Sequence, residues 1–105
     1  MAELAARLHD LPNLVRVEGH TDDVPIATTQ FASNWDLSTA RATRVVEFLI
    51  EECIDPGRLA AAGYAEYRPR RPNDSPESRA RNRRVDIVVL DPVAAGREDP
   101  GVTAR

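Results

Sequence analysis

Long apolar runs are missing from this sequence. No stretch approaches the roughly 18 consecutive apolar residues that a membrane-spanning helix needs. With 42% hydrophobic and 30% charged residues over 105 positions, the chain reads as one soluble, globular domain. Met1 leads straight into an amphipathic segment, so no export signal is expected. The single cysteine, Cys53, excludes an internal disulfide and any cysteine-based zinc site. Its helical spacing from Val46 and Leu49 predicts a thiol in the core. Lysine is absent, and all fourteen basic residues are arginine. Each cationic site therefore carries a planar, bidentate donor. Aromatics are scarce at 5% and the net charge is −3. Neither favours a nucleic-acid surface, which would need a basic face or a stacking platform.

What is present is organised around Val15 to Arg44. Leu4, Leu8 and Leu11 share one face of a helix over 2–11, which Pro12-Asn13 stops. Residues 14–18 alternate as a strand, with Val15 and Val17 inward and Leu14, Arg16 and Glu18 outward. Gly19 then allows a bend. A loop over 20–32 follows, long enough to be functional or mobile. Ser33 caps a helix running from Asn34 to about Cys53, with Asp36 three residues on in a capping-box position. Ala42, Val45, Val46, Leu49 and Cys53 form its inner stripe. A second, alanine-rich strand spans 58–64, with Gly63 marking a close approach. Ser75-Pro76-Glu77 opens a short helix ending near Arg83. The last strand, 84–90, turns Val85, Ile87 and Val89 inward and Asp86 outward. Residues 91–105 read as a flexible tail.

The strand–helix–strand unit makes the first two strands parallel, with helices on one face of a small mixed sheet, an α+β sandwich. Ligands on such sheets gather beyond the carboxyl ends of the strands. Asp22 and the N-terminal half of the 34–53 helix, which carries Arg41, both lie there. A carboxylate and a guanidinium facing one crevice can hold a zwitterion, one taking an ammonium and the other a carboxylate. The same two residues could equally form an internal ion pair or remain solvated. His20, Asp22 and Asp23 are an incomplete set of metal ligands. Arg68, Arg70, Arg71, Arg79, Arg81, Arg83 and Arg84 form a cationic region, either solvated and packed in part on Tyr64 or Tyr67, or suited to an anionic polymer. No nucleophile motif is present, since Ser33, Ser38 and His20 form no strand–turn–helix elbow.

Four blocks then spell a known pattern in order: Val17-Glu18-Gly19-His20-Thr21-Asp22, Asn34-Trp35-Asp36-Leu37-Ser38-Thr39-Ala40-Arg41-Ala42, Arg58-Leu59 with Gly63-Tyr64, and Asn82-Arg83-Arg84-Val85-Asp86-Ile87. Over residues 1–90 the chain resembles the OmpA-like peptidoglycan-binding domain. The Asp22-Asp23-Val24-Pro25-Ile26 segment and the extended loop to Phe31 are similar to its MotB branch, the flagellar motor stator protein. The resemblance implies non-covalent binding of the peptidoglycan stem peptide through its diaminopimelate. It implies that Asp22 takes the ammonium and Arg41 the carboxylate, that Thr21, Asn34, Leu37 and Ala40 line the crevice, and that Asn82 and Arg83 form its far wall. It implies no enzymatic activity, no cofactor and no metal. Peptidoglycan would be the partner, with a homodimer and flagellar stator and basal-body proteins as further candidates and no nucleic acid. The place of work would be periplasmic or elsewhere in the cell envelope, and a membrane tether would have to come from another segment. The family's first strand is not represented, which leaves a sheet edge open or covered by a partner chain. A truncated interaction domain, or the anchor of a non-flagellar envelope protein, are the alternatives.

Overall fold

The computed structural model describes residues 2–90, and the expected tail over 91–105 lies outside them. Helix α1 spans Ala2–His9, strand β1 Val15–His20, helix α2 Asn34–Glu51, strand β2 Leu59–Gly63, helix α3 Pro76–Asn82 and strand β3 Arg84–Val89. A 3-10 turn over Pro56–Arg58 introduces β2. The sheet order is β2-β1-β3, with β1 parallel to β2 and antiparallel to β3. Both relations follow from the connections: a long helix crosses over between β1 and β2, whereas β3 returns after only a short one. The expected mixed sheet and α+β class are observed.

Strand β1 is central, and its alternation decides the two faces. Val15 and Val17 are fully buried and join Ala5 and Leu8 of α1, Ala42 and Leu49 of α2, and Ile54 in one core. Burying each of these larger aliphatic side chains contributes about 1.5–3 kcal/mol. Val85 and Ile87 of β3 pack against the same core. Val89 is the last residue of β3, an edge strand, and is exposed, contrary to the expected inward position. Leu11 is exposed for a similar reason, because α1 stops at His9.

Two expectations are corrected by the backbone. Gly19 does not bend the chain. It stays in β1, paired with Gly63 on one side and Val85 on the other. Its bareness lets α2 approach: a Cβ at Gly19 would overlap the Ser38 carbonyl oxygen, and one at Gly63 would overlap the Thr39 hydroxyl. Ser38 is fully buried at this contact. Its Oγ donates to the Trp35 carbonyl at 3.1 Å and accepts from Ala65 N–H at 3.0 Å. Cys53, in turn, is exposed and not in the core. Helix α2 ends at Glu51, and Cys53 adopts a left-handed φ of 70°. Cys53 N–H donates to Ile50 C=O at 3.0 Å and Ile54 N–H to Leu49 C=O at 3.0 Å, the bond pattern of a Schellman cap. That reversal turns the thiol outward and drives Ile54 into the place predicted for it.

Candidate functional site

Beyond the carboxyl end of β1, the chain turns over the N-terminal end of α2. Ser33 caps that helix, its Oγ accepting from Asp36 N–H at 3.4 Å. Asn34 Nδ2 donates to Val24 C=O at 3.2 Å and ties the preceding loop to the first turn. Asp22 folds its own loop: its Oδ1 accepts from Val24 N–H at 3.0 Å. Between these elements lies a cleft of about 420 Å³, lined by Thr21, Asp22, Val24, Pro25, Ile26, Asn34, Leu37, Arg41 and Arg83.

Six of the eight residues implied by the resemblance meet in this cleft: Asp22, Arg41, Thr21, Asn34, Leu37 and Arg83. Ala40, one residue round the helix from Arg41, is half-buried and outside the lining. Asn82 is also outside it. It is fully buried, and its amide is spent on the 70–73 loop. Oδ1 accepts from Arg70 N–H at 2.8 Å and Arg71 N–H at 3.0 Å, while Nδ2 donates to Arg71 C=O at 2.8 Å and Asn73 Oδ1 at 2.9 Å.

The charges divide the cleft. Asp22 is nearly buried, and its Oδ2 accepts from Arg83 Nη1 at 2.7 Å. Asp22 is therefore ion-paired, but with Arg83 and not with Arg41. Arg41 is exposed and has no carboxylate partner among the described residues. A carboxylate offers about four lone-pair positions, and Arg83 and Val24 use two of those on Asp22. Room remains for a further cation, while Arg41 keeps a full guanidinium fork for an anion. The N-terminal end of α2 adds partial positive charge on the same side.

The arginine-rich region is largely spoken for. Arg79 Nε donates to Asp23 Oδ1 at 2.9 Å and its Nη2 to Asn73 C=O at 3.0 Å, linking α3 to the cleft loop. Arg70 and Arg84 reach Asp86, and Arg68 lies 4.3 Å over the Tyr64 ring, as the packing alternative anticipated. The trio His20, Asp22 and Asp23 is not assembled. His20 sits on the sheet face with Glu18 and Asp86, whereas Asp22 and Asp23 point to Arg83 and Arg79. Burial pushes the His20 imidazole below its ordinary pKa, and Arg84 adds to that, against Asp86 and Glu18.

Sequence reasoning missed the aromatic flank of the cleft. Trp35 and Tyr67 stack with centroids 5.3 Å apart. They border a recess of about 190 Å³ that shares Pro25, Ile26 and Asn34 with the main cleft. Nothing in the local sequence of either aromatic announces the pairing, because it joins positions far apart in the chain. The Arg83–Asp22 and Arg79–Asp23 pairs were likewise invisible to spacing.

The sequence and the fold both have known relatives. The sequence profile described as the OmpA family matches residues 1–83. Motility protein B of Bacillus subtilis is 41% identical over 85 residues, which are 80% of this chain and 33% of that protein. The uncharacterized protein YtxE of the same organism is 42% identical over 88 residues, 83% of this chain and 36% of its own. The chain thus spans about a third of the length of these curated relatives. Among solved structures, the C-terminal domain of Helicobacter pylori MotB superposes with a TM-score of 0.80 at 32% identity, covering 98% of this chain and 80% of that one. The cell wall anchor of the T6SS from Pseudomonas aeruginosa gives 0.78 at 45% identity, over 83% and 61%. With four-fifths of its length matched by one profile and its fold shared with these domains, the chain belongs to the OmpA family.

Proposed function

We propose that this domain binds the peptide stem of peptidoglycan non-covalently, through its diaminopimelate, and anchors an envelope complex of flagellar stator type to the cell wall. The observation that carries this reading is the cleft in which Arg41, without a carboxylate partner among the described residues, faces the same space as Asp22. Asp22 takes the side-chain ammonium on a lone pair that Arg83 and Val24 leave open. Arg41 takes the side-chain carboxylate. Thr21, Asn34 and Leu37 shape the walls, and Arg83 holds Asp22 in position. Ala40 and Asn82 act behind the cleft, Ala40 by packing and Asn82 by fixing the loop beside Arg83.

The pairing also explains selectivity. A stem lysine has the ammonium but no side-chain carboxylate, so Arg41 would lose its partner. A charge-assisted hydrogen bond contributes about 1.5–3 kcal/mol, or roughly a 10- to 100-fold preference for diaminopimelate. The test is co-sedimentation with purified sacculi of the diaminopimelate and lysine types. Wild type should pellet with the first and much less with the second, and Asp22→Asn or Arg41→Ala should abolish pelleting without unfolding. Unchanged binding in both variants would remove the site assignment.

A second reading keeps the site and changes the complex. The 45% identity to the T6SS cell wall anchor favours a non-flagellar assembly. Complementation of a motility-deficient strain lacking its stator wall domain separates the two.

A further inference from the structure

The sheet face turned away from the helices carries a second polar cluster, separate from the cleft. Register places Glu18 directly opposite Asp86 and His20 directly opposite Arg84. The two carboxylates are paired outward, Glu18 with Arg16 and Asp86 with Arg84 and Arg70, and each keeps lone pairs on the side that faces the other strand. His20 lies beside that pair. It is only 2% exposed, and neither ring nitrogen makes a hydrogen bond among the described residues. A buried polar atom left unpaired costs about 1–3 kcal/mol. Its Nε2 is aimed at the gap, 3.7 Å from Glu18 Oε1 and 3.5 Å from Asp86 Oδ2, and one donor atom from each of the three residues lies within 4.8 Å of the others. Tyr64 stacks on the imidazole at 5.3 Å and limits its rotation.

We propose that Glu18, His20 and Asp86 form a three-donor site for a divalent ion of the zinc class, clasping β1 to β3. Zinc bonds to imidazole and carboxylate run about 2.0–2.2 Å, which sets a tetrahedral edge of roughly 3.4 Å between donors. The two nitrogen-to-oxygen separations, 3.5 and 3.7 Å, are within a small side-chain adjustment of that edge. The other sides of the carboxylates are held as outer partners hold metal-ligating carboxylates. Arg16 Nε donates to Glu18 Oε2 at 2.7 Å, and Arg70 Nη2 donates to Asp86 Oδ1 at 3.4 Å. Arg84 Nε donates to both Asp86 oxygens, at 3.2 and 3.0 Å, so the Oδ2 that faces His20 would bind the ion on its remaining lone pair. An imidazole with few oxygens suits zinc and its neighbours rather than magnesium or calcium, which require more oxygen ligands. The nearby guanidiniums oppose a dication, so the site binds less tightly than thiolate zinc sites do.

The test is calorimetric titration of the metal-free chain with zinc chloride, with thermal melting in parallel. One equivalent should bind and raise the melting temperature. Glu18→Gln and Asp86→Asn, which preserve shape, should each weaken binding at least tenfold, and His9→Gln should leave it unchanged. His20→Gln is a further variant, read only if its circular dichroism is native. No zinc-dependent heat or melting shift in the wild type overturns the proposal. Equal zinc affinity in wild type, Glu18→Gln and Asp86→Asn also overturns it. Asp22→Asn should bind zinc normally, which separates this outcome from the fate of the cleft reading.

Discussion

Removing the Asn82 amide should destabilise the domain through the 70–73 loop, which its side chain ties down at four points. Its side chain makes four hydrogen bonds of 2.8–3.0 Å to Arg70, Arg71 and Asn73. Each contributes about 0.5–1.5 kcal/mol. Asn82 is fully buried, but its partners are part-buried, so water recovers some of the loss in the variant. Asn82→Ala should therefore cost about 2–4 kcal/mol. For a domain of this size about 1 kcal/mol moves the melting temperature by roughly 4–8 °C, so a fall of at least about 8 °C is expected. Asn82→Asp keeps both acceptor bonds but sets a buried carboxylate oxygen against the Arg71 carbonyl, and should lose at least as much. Chemical denaturation with melting by circular dichroism measures both. Below its new melting temperature, Asn82→Ala should still pellet with diaminopimelate sacculi, only more weakly, because Asp22 and Arg41 remain. An Asn82→Ala protein as stable as wild type that no longer pellets would refute this reasoning and make Asn82 a ligand contact.

Two further substitutions probe the backbone. Gly19→Ala should cost about 3 kcal/mol or more, toward the upper end of overpacking effects. The new Cβ meets the Ser38 backbone and not a movable side chain, so no rotamer change relieves it. Urea denaturation measures this, and a loss below about 1 kcal/mol would contradict the close approach of α2. Cys53→Gly should stabilise by about 1 kcal/mol, because a left-handed φ of 70° carries a Cβ penalty that glycine avoids. The same denaturation series checks it. The native Cys53 thiol should also react with a maleimide without unfolding, since it is exposed.

Much of this molecule was readable from local pattern. The period of two in Val15 to Glu18 picks out the core face of β1, and Ser33 and Ser75 cap the helices they precede. The polar end of β1 and the position of Arg41 on the next helix bring Asp22 and Arg41 to one cleft. The strand period and the caps depend on neighbours a few residues away, and the strand–helix connection sets the third, which is why they were legible in the sequence. Other features depend on which distant segment arrives at a given surface. The Schellman reversal at Cys53 placed Ile54 in the core, although helical spacing favoured the cysteine. Arg83 became the partner of Asp22 across 61 residues. Asn82 turned to the 70–73 loop because buried polar atoms must be satisfied where they land. The Glu18, His20 and Asp86 cluster exists only because antiparallel pairing set β3 in one register against β1. Sequence determined the elements and the end of the sheet at which Asp22 and Arg41 lie. Tertiary structure decided which charges meet there, because ion pairs and buried hydrogen bonds act over a few ångströms of space and are indifferent to separation along the chain.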